Sequence, residues 1–430
     1  KNMINTLFFG LNKLKAGENR PANHPKSSIK KLGVLGAGMM GAGIAYVAAK
    51  TGIEVVLKDI SQENAEKGKS YAAKIQDKLI SKGRSTEQTK EAILSKILAT
   101  AEASNLAGCD LVIEAVFEDI PLKAKVTQEA QAHLDDDSVF ASNTSTLPIT
   151  QLASASKNQD NFIGLHFFSP VDRMPLVEII CGEKTSDETL AKAFDFVLQI
   201  KKTPIVVNDS RGFYTSRVFT TFLAEGAELL LEGVPPAKIE NLAKATGMPV
   251  GPLAQQDEVS QRLAWDILQS NKQLVVEQGG EWVLSAHETI LQRMVEEFDR
   301  KGRAYGGGYF EYYKDENGRN QKRLWSGLKE LYQANKEIPA IDIKERILFR
   351  QAIEAVKCLE ENVLRSVIDG NVGSIFGIGF PAYTGGQLQY INSYGIDKFV
   401  ARCKELASEY GERFNPPQLL LDKAEQGEEF

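Results

Sequence analysis

Two residues twelve positions apart, His166 and Glu178, carry the strongest chemical signal in this sequence. His166 is one of only 4 histidines and closes an apolar run, NFIGLHFF; Glu178 stands alone among apolar neighbours in PLVEII. A carboxylate in such a setting needs a partner, because an unpaired buried charge is costly. A histidine that takes a proton from a hydroxyl needs an anion to orient it and to stabilise the imidazolium. The two needs fit each other. Ser145, at the end of DSVFASNTST, supplies a hydroxyl for a substrate oxygen. Taken alone, His166 reads as a satisfied core histidine. What lifts it above that reading is a second constellation upstream.

Gly36, Gly38 and Gly41 stand in GxGxxG spacing between an apolar strand-like run, Leu32 to Leu35, and the helical run GIAYVAAKTG. A second apolar run, IEVVL, then closes on Asp59. In a dinucleotide-binding βαβ unit the first glycine permits the turn, the second lets backbone approach a pyrophosphate, and the third lets helix pack on strand. The diphosphate sits at the helix N-terminus. Asp59 accepts hydrogen bonds from a ribose 2′-hydroxyl and repels a 2′-phosphate, which favours NAD over NADP. A lone GxGxxG would be an ordinary strand–helix turn; strand, glycines, helix, strand and acid in order are not.

The elements that position these residues follow from their patterning. CDLVIEAV reads as a buried strand followed by the helix FEDIPLKAKVTQEAQAHL, which puts Glu118 and Lys123 at the C-terminal end of a parallel strand, where ligands bind in such sheets. DSVFASNTST and NFIGLHFFSP give two further strands. Residues 61–100 have helical composition, one long charged helix or a helical hairpin. Its lysines (Lys67, Lys69, Lys74, Lys78, Lys82) either receive an acidic ligand or form a solvated face. From Ser210 the character is helical, with no further clear strands. GFYTSRVFTTFLAEGAELLLEG, a helix over about 236–246 and the turn TGMPVGP are echoed by DIKERILFRQAIEAVKCLEENVL, a short helix and GIGFPAYTGG, a degenerate repeat. The fold class is therefore an α/β Rossmann-type doubly wound parallel sheet followed by an all-α region of two repeated helical domains. The expected boundaries are a linker helix and linker over 1–29, the NAD-binding domain over 30–209, a first helical domain with its connection over 210–337, and a second over 338–430. Met3, Ile4, Leu7, Phe8 and Leu11 give the first residues an amphipathic helical face; with the polar linker after it, this reads as the tail of something upstream or as a native extension.

The chain has 430 residues, 43% hydrophobic and 25% charged, with net charge −6. Nothing in that balance points to a nucleic-acid partner or an anionic membrane surface, though an acidic average leaves room for a local basic site for an acidic ligand. No apolar run is long enough for a membrane span, and no signal peptide is visible. Cys109, Cys181, Cys358 and Cys403 lie far apart without metal-ligand spacing. Free thiols in a reducing, intracellular compartment (cytoplasm, or an organelle) are the simple reading, with no metal.

With these residues in view, GAGMMGAGIA, SNTSTLPIT, GLHFFSPVDRMPLVEII and GFYTSR resemble the 3-hydroxyacyl-CoA dehydrogenase family over about residues 1–425, in the arrangement where an enoyl-CoA hydratase/isomerase precedes the dehydrogenase. The resemblance implies oxidation of (S)-3-hydroxyacyl-CoA to 3-ketoacyl-CoA in fatty acid β-oxidation, with hydride passing to NAD. It implies His166 as general base, Glu178 as its partner, and Ser145 as a contact of both substrate oxygen and cofactor. It implies cofactor contacts at Gly36, Gly38, Met39, Met40, Gly41, Asp59, Glu118, Lys123 and Ser169. Implied partners are an acyl-CoA thioester, an upstream hydratase domain, and a thiolase subunit or a second copy. Two departures stand out. Ser216 occupies the Asn position of GF-x-x-N-R, where the family holds substrate and histidine, and Ser169 replaces Asn in HFFNP. Two other readings remain: a related β-hydroxy acid dehydrogenase working through a lysine, and a non-catalytic NAD-binding scaffold.

Overall fold

The computed structural model describes residues 1–277, 279–332 and 337–430. The chain divides into two compact units, residues 1–217 with 358–378, and residues 218–357 with 379–430.

In the first unit eight short strands form one sheet: β1 (Lys31–Leu35), β2 (Glu54–Lys58), β3 (Ile97–Thr100), β4 (Leu111–Glu114), β5 (Val139–Ser142), β6 (Phe162–Phe167), β7 (Leu176–Cys181) and β8 (Thr203–Asn208). Their spatial order is β3-β2-β1-β4-β5-β6-β7-β8. The first six run parallel, and β7 and β8 run the other way, parallel to each other. β4, β5, β6 and β7 are buried at every position, as expected where helices cover both faces. The order reverses between β1 and β4, and in such sheets the ligand crevice opens at that switch point.

One part of this unit departs from the sequence reading. β3 lies inside the stretch expected to be helical: with mixed local preference, Ile97 and Thr100 β-branched but Leu98 and Ala99 helix formers, ILAT is settled by its pairing to β2 as an edge strand. The charged run before it takes the two-helix alternative, Gln62–Ile80 and Glu87–Ser95, each capped by its own hydroxyl, Ser61 and Thr86. At the N-terminus much of the apolar face read from the sequence is exposed. A π-turn over Asn5–Gly10 rotates the helical segment, so Thr6, Gly10 and Leu14 are buried while Met3, Ile4, Phe8 and Phe9 are exposed. The linker is fixed to this unit. Arg20 forms a bidentate pair with Asp195 at 2.7 and 2.9 Å, the Ser27 amide also donates to Asp195, and Asn19 donates to Asp369 at 2.7 Å.

The second unit is built mostly of helices. Arg346, fully buried, pairs with Glu225 and Glu232 at 2.7 and 2.6 Å and lies over the Tyr410 ring. That network joins the helices Thr215–Leu231, Ala340–Glu360 and Ile396–Tyr410. The two Gly/Pro turns of the repeated pattern meet reciprocally. A Cβ on Gly247 would lie 3.0 Å from Pro381, and one on Gly379 would lie 2.8 Å from Pro249. Between the repeats, where no strand was expected, Phe310–Lys314 and Asn320–Leu324 pair as an antiparallel hairpin. Residues 333–336 of the expected connection lie outside the described residues.

Candidate active site

The glycine turn behaves as its spacing requires. Gly36 has φ +92°, and a Cβ there would lie 2.7 Å from the Ala115 carbonyl oxygen. A Cβ on Gly41 would sit 1.8 Å from the Gly36 carbonyl oxygen, so only glycine lets the helix Met39–Lys50 approach β1 this closely. Gly38 faces open space, with nothing within 4 Å of a Cβ built on it. Helices nearby are capped by Ser61, Asp119 and Ser186, whereas the Met39–Lys50 helix has no side-chain cap. Its first N–H groups border a cleft of about 680 Å³ lined by Gly38, Met39, Asp59, Asn64, Tyr71 and Phe117. Open space beside an uncapped helix N-terminus is the cradle a diphosphate needs. Asp59 accepts from Ala37 N at 2.6 Å and from Asn64 Nδ2 at 3.1 Å, which fixes its carboxylate at the cleft wall. These residues fit NAD. Of the charged-helix lysines, Lys67 and Lys74 also line this cleft.

Past the ends of β4 and β5, Glu118 lies between Lys123 and Ser145. The Glu118 carboxylate accepts from Ser145 N at 2.7 Å, Ser145 Oγ at 3.1 Å and Thr144 Oγ1 at 2.9 Å. Lys123 is buried, and its closer partner is a residue the sequence reading passed over. Glu114, at the end of β4, takes the ammonium at 2.9 and 3.0 Å, against 3.4 Å to Glu118. Ser142 Oγ also donates to Glu114. An acid ending an apolar strand was the available signal. Ser169 Oγ lies 3.7 Å from Met39 Sδ, which brings these two expected cofactor contacts together.

His166 and Glu178 are directly opposed across the antiparallel β6–β7 pair. Nδ1 lies 2.9 Å from Glu178 Oε2, and both residues are buried. Glu178 Oε1 accepts the main-chain N–H groups of Tyr214 and Thr215, each at 3.0 Å, at the start of the helix Thr215–Leu231. Its Oε2 also accepts from Thr215 Oγ1 at 2.5 Å. The chain reaches that helix through two consecutive left-handed residues, Gly212 (φ +74°) and the buried Phe213 (φ +49°). The second is strained backbone of the kind held at functional sites. An acceptor on the Nδ1 side fixes the tautomer with its proton at Nδ1 and leaves Nε2 basic. The Phe168 ring lies 4.5 Å from the imidazole, tilted by 42°. Ser216 donates through Oγ to the Ser145 carbonyl oxygen at 2.9 Å, joining the last two expected site residues. The loop after His166 is held from below: buried Lys202 donates to the Val171 and Met174 carbonyls at 2.6 Å each, and burial pushes its amine down to about 8.

A doubly wound sheet with an NAD cradle at its switch point and a His–Glu pair two strands away defines an NAD-dependent oxidoreductase acting on a hydroxyl group. The chain belongs to the 3-hydroxyacyl-CoA dehydrogenase family. The family's NAD-binding domain matches residues 31–210 and its C-terminal domain residues 212–312. The fatty acid oxidation complex subunit alpha of Shewanella frigidimarina is 38% identical over 433 residues, covering 99% of this chain and 59% of its own length. The chain thus spans about 59% of such relatives. The (S)-3-hydroxybutyryl-CoA dehydrogenase of Ralstonia eutropha is 35% identical with TM-score 0.61, covering 67% of this chain and 100% of its own. The 3-hydroxybutyryl-CoA dehydrogenase of Escherichia coli K12, 22% identical, agrees in fold over 93% of this chain and 99% of its own, with TM-score 0.79. Among the described residues, no helix is long and apolar enough to cross a membrane.

Proposed function

We propose that this chain oxidises the 3-hydroxyl of an (S)-3-hydroxyacyl-CoA thioester to the 3-keto group during fatty acid oxidation, with NAD as the hydride acceptor. His166 Nε2 takes the hydroxyl proton as the C3–H bond breaks and the carbonyl forms. Glu178 holds the imidazole in the tautomer that can do this and balances the imidazolium charge. Ser145 and Ser216 flank the substrate oxygen, and the Gly36–Gly41 turn with Asp59 holds the dinucleotide. The observation that carries the reading is the His166–Glu178 pair at 2.9 Å, opposed across β6 and β7 and saturated on its Nδ1 side. A lysine-based mechanism is disfavoured because Lys123 is buried in its pair with Glu114. Two facts support work within a larger assembly, with hydratase and thiolase activities beside it: the relatives are named subunits of a complex, and the chain spans 59% of their length. A cytoplasmic location belongs to the same reading.

Acetoacetyl-CoA-dependent NADH oxidation tests this proposal directly. The purified chain should turn over, and His166→Gln should lower kcat by at least about 10²-fold with NADH affinity little changed. A chain that binds NADH without turnover would be a scaffold.

A further inference from the structure

Thr215 lies inside GFYTSR at a position to which the family resemblance assigns no role. Its side chain nonetheless has two separate contacts. Its methyl Cγ2 lies 3.4 Å from where a Cβ on Gly377 would be, against the helix Val367–Ile378. Its hydroxyl donates to Glu178 Oε2 at 2.5 Å and lies 3.5 Å from His166 Nδ1, beside the Glu178–His166 bond.

The donor inventory around Glu178 shows what that hydroxyl does. A carboxylate oxygen accepts about two hydrogen bonds. Oε1 is filled by two main-chain N–H groups that cannot move without unwinding the start of the helix. Oε2 takes His166 Nδ1 and the Thr215 hydroxyl. Glu178 is fully buried, so no solvent replaces a lost donor. Without the hydroxyl, the imidazole alone fixes the outer oxygen and also bears its whole charge.

We infer that Thr215 is a positioning residue for the catalytic pair: its hydroxyl shares Glu178 Oε2 with His166 and so fixes the carboxylate that orients the base. This rests on the dehydrogenase reading above, and it adds a residue that acts on the base through Glu178.

Thr215→Val keeps the shape and removes the hydroxyl; Thr215→Ser keeps the hydroxyl and removes the methyl. In the full chain, Thr215→Val should lower kcat about three- to tenfold, the worth of one hydrogen bond, with KM and NADH affinity within about twofold. Thr215→Ser should restore kcat. A second readout needs no substrate. The chain has 4 histidines, so selective ¹⁵N-histidine labelling gives few imidazole signals, and loss of one from His166→Gln assigns it. The Nδ1–H proton of His166 should move downfield in Thr215→Val, because the imidazole becomes the sole donor to Oε2, and return in Thr215→Ser. Should the valine variant not fold, Thr215→Ala removes the same hydroxyl. An unmoved resonance in the hydroxyl-free variant overturns the inference, as does a kcat within twofold of the parent or a serine variant that fails to rescue. An inactive parent overturns the dehydrogenase reading instead, and the resonance still reads Thr215.

Discussion

Glu178→Gln replaces one oxygen by an NH2 group at nearly constant volume, and the donors around Glu178 decide how the amide must sit. The main-chain N–H groups of Tyr214 and Thr215 can only donate, so the amide oxygen must face them. The new NH2 then points at Thr215 Oγ1 and His166 Nδ1. A hydroxyl can turn and accept. An imidazole can accept at Nδ1 only by moving its proton to Nε2, which is the nitrogen that must receive the substrate's proton. The variant therefore holds its base in the wrong tautomer and also lacks the anion that stabilises imidazolium. The comparable Asp→Asn change beside a catalytic histidine costs about 10⁴-fold; here kcat should fall about 10³- to 10⁴-fold, a barrier increase of roughly 4–5 kcal/mol. NADH titration should be unchanged, since the cleft is lined by residues between Leu35 and Ala130. The assay is NADH oxidation with acetoacetyl-CoA at saturating cofactor. A glutamine variant within tenfold of the parent would refute the tautomer argument even if His166 proved essential.

Asp59→Ala should weaken NADH and narrow its margin over NADPH in fluorescence titrations, because the carboxylate at the cleft wall repels a 2′-phosphate; equal affinities in the parent would remove the basis for this. Gly41→Ala places a methyl 1.8 Å from the Gly36 carbonyl oxygen, so helix and strand must part; NADH affinity and melting temperature should both fall, and a variant with parental binding would refute the packing argument. Burial pushes the Asp369 carboxyl up to about 6, against hydrogen bonds from Ser366, Val206 and Asn19. The folded chain then holds a proton that the unfolded chain releases, so this contribution is complete below about pH 4 and is lost as pH rises through about 6. Asp369→Asn should therefore flatten denaturation stability between pH 4 and 6 by roughly 2–3 kcal/mol relative to the parent; a constant parent–variant difference across that window would contradict it.

Much of the fold and site was legible in the residues because it obeys local rules. The glycine turn obeys sterics within one βαβ unit, and the His166–Glu178 pair was readable because a lone acid in PLVEII has few ways to be satisfied. Other features depend on distant partners. Glu114 looks like any strand-end acid until Lys123 folds over it. β3 is four residues long and gains its identity from β2 beside it. The segment 358–378 sits in the sequence among the C-terminal helices, yet packs with the first unit through contacts such as Tyr214 Oη to the Gly370 carbonyl and Asn19 to Asp369. The π-turn at Asn5–Gly10 was not legible either: it adds a residue to the turn that no composition signal announces.

The reversal of direction between β6 and β7 makes the catalytic pair a property of strand register rather than of the chain that joins them. Side chains alternate faces along a strand, so a one-residue slip would bring Val177 or Ile179 opposite His166 and turn Glu178 to the other side. The connection, residues 168–175, instead sets the surroundings of the base: Phe168 lies beside the imidazole, and Lys202 holds the Val171 and Met174 carbonyls. Alignment of base and acid thus depends on β7 keeping its pairing to β6 and β8, while the loop walls the imidazole in.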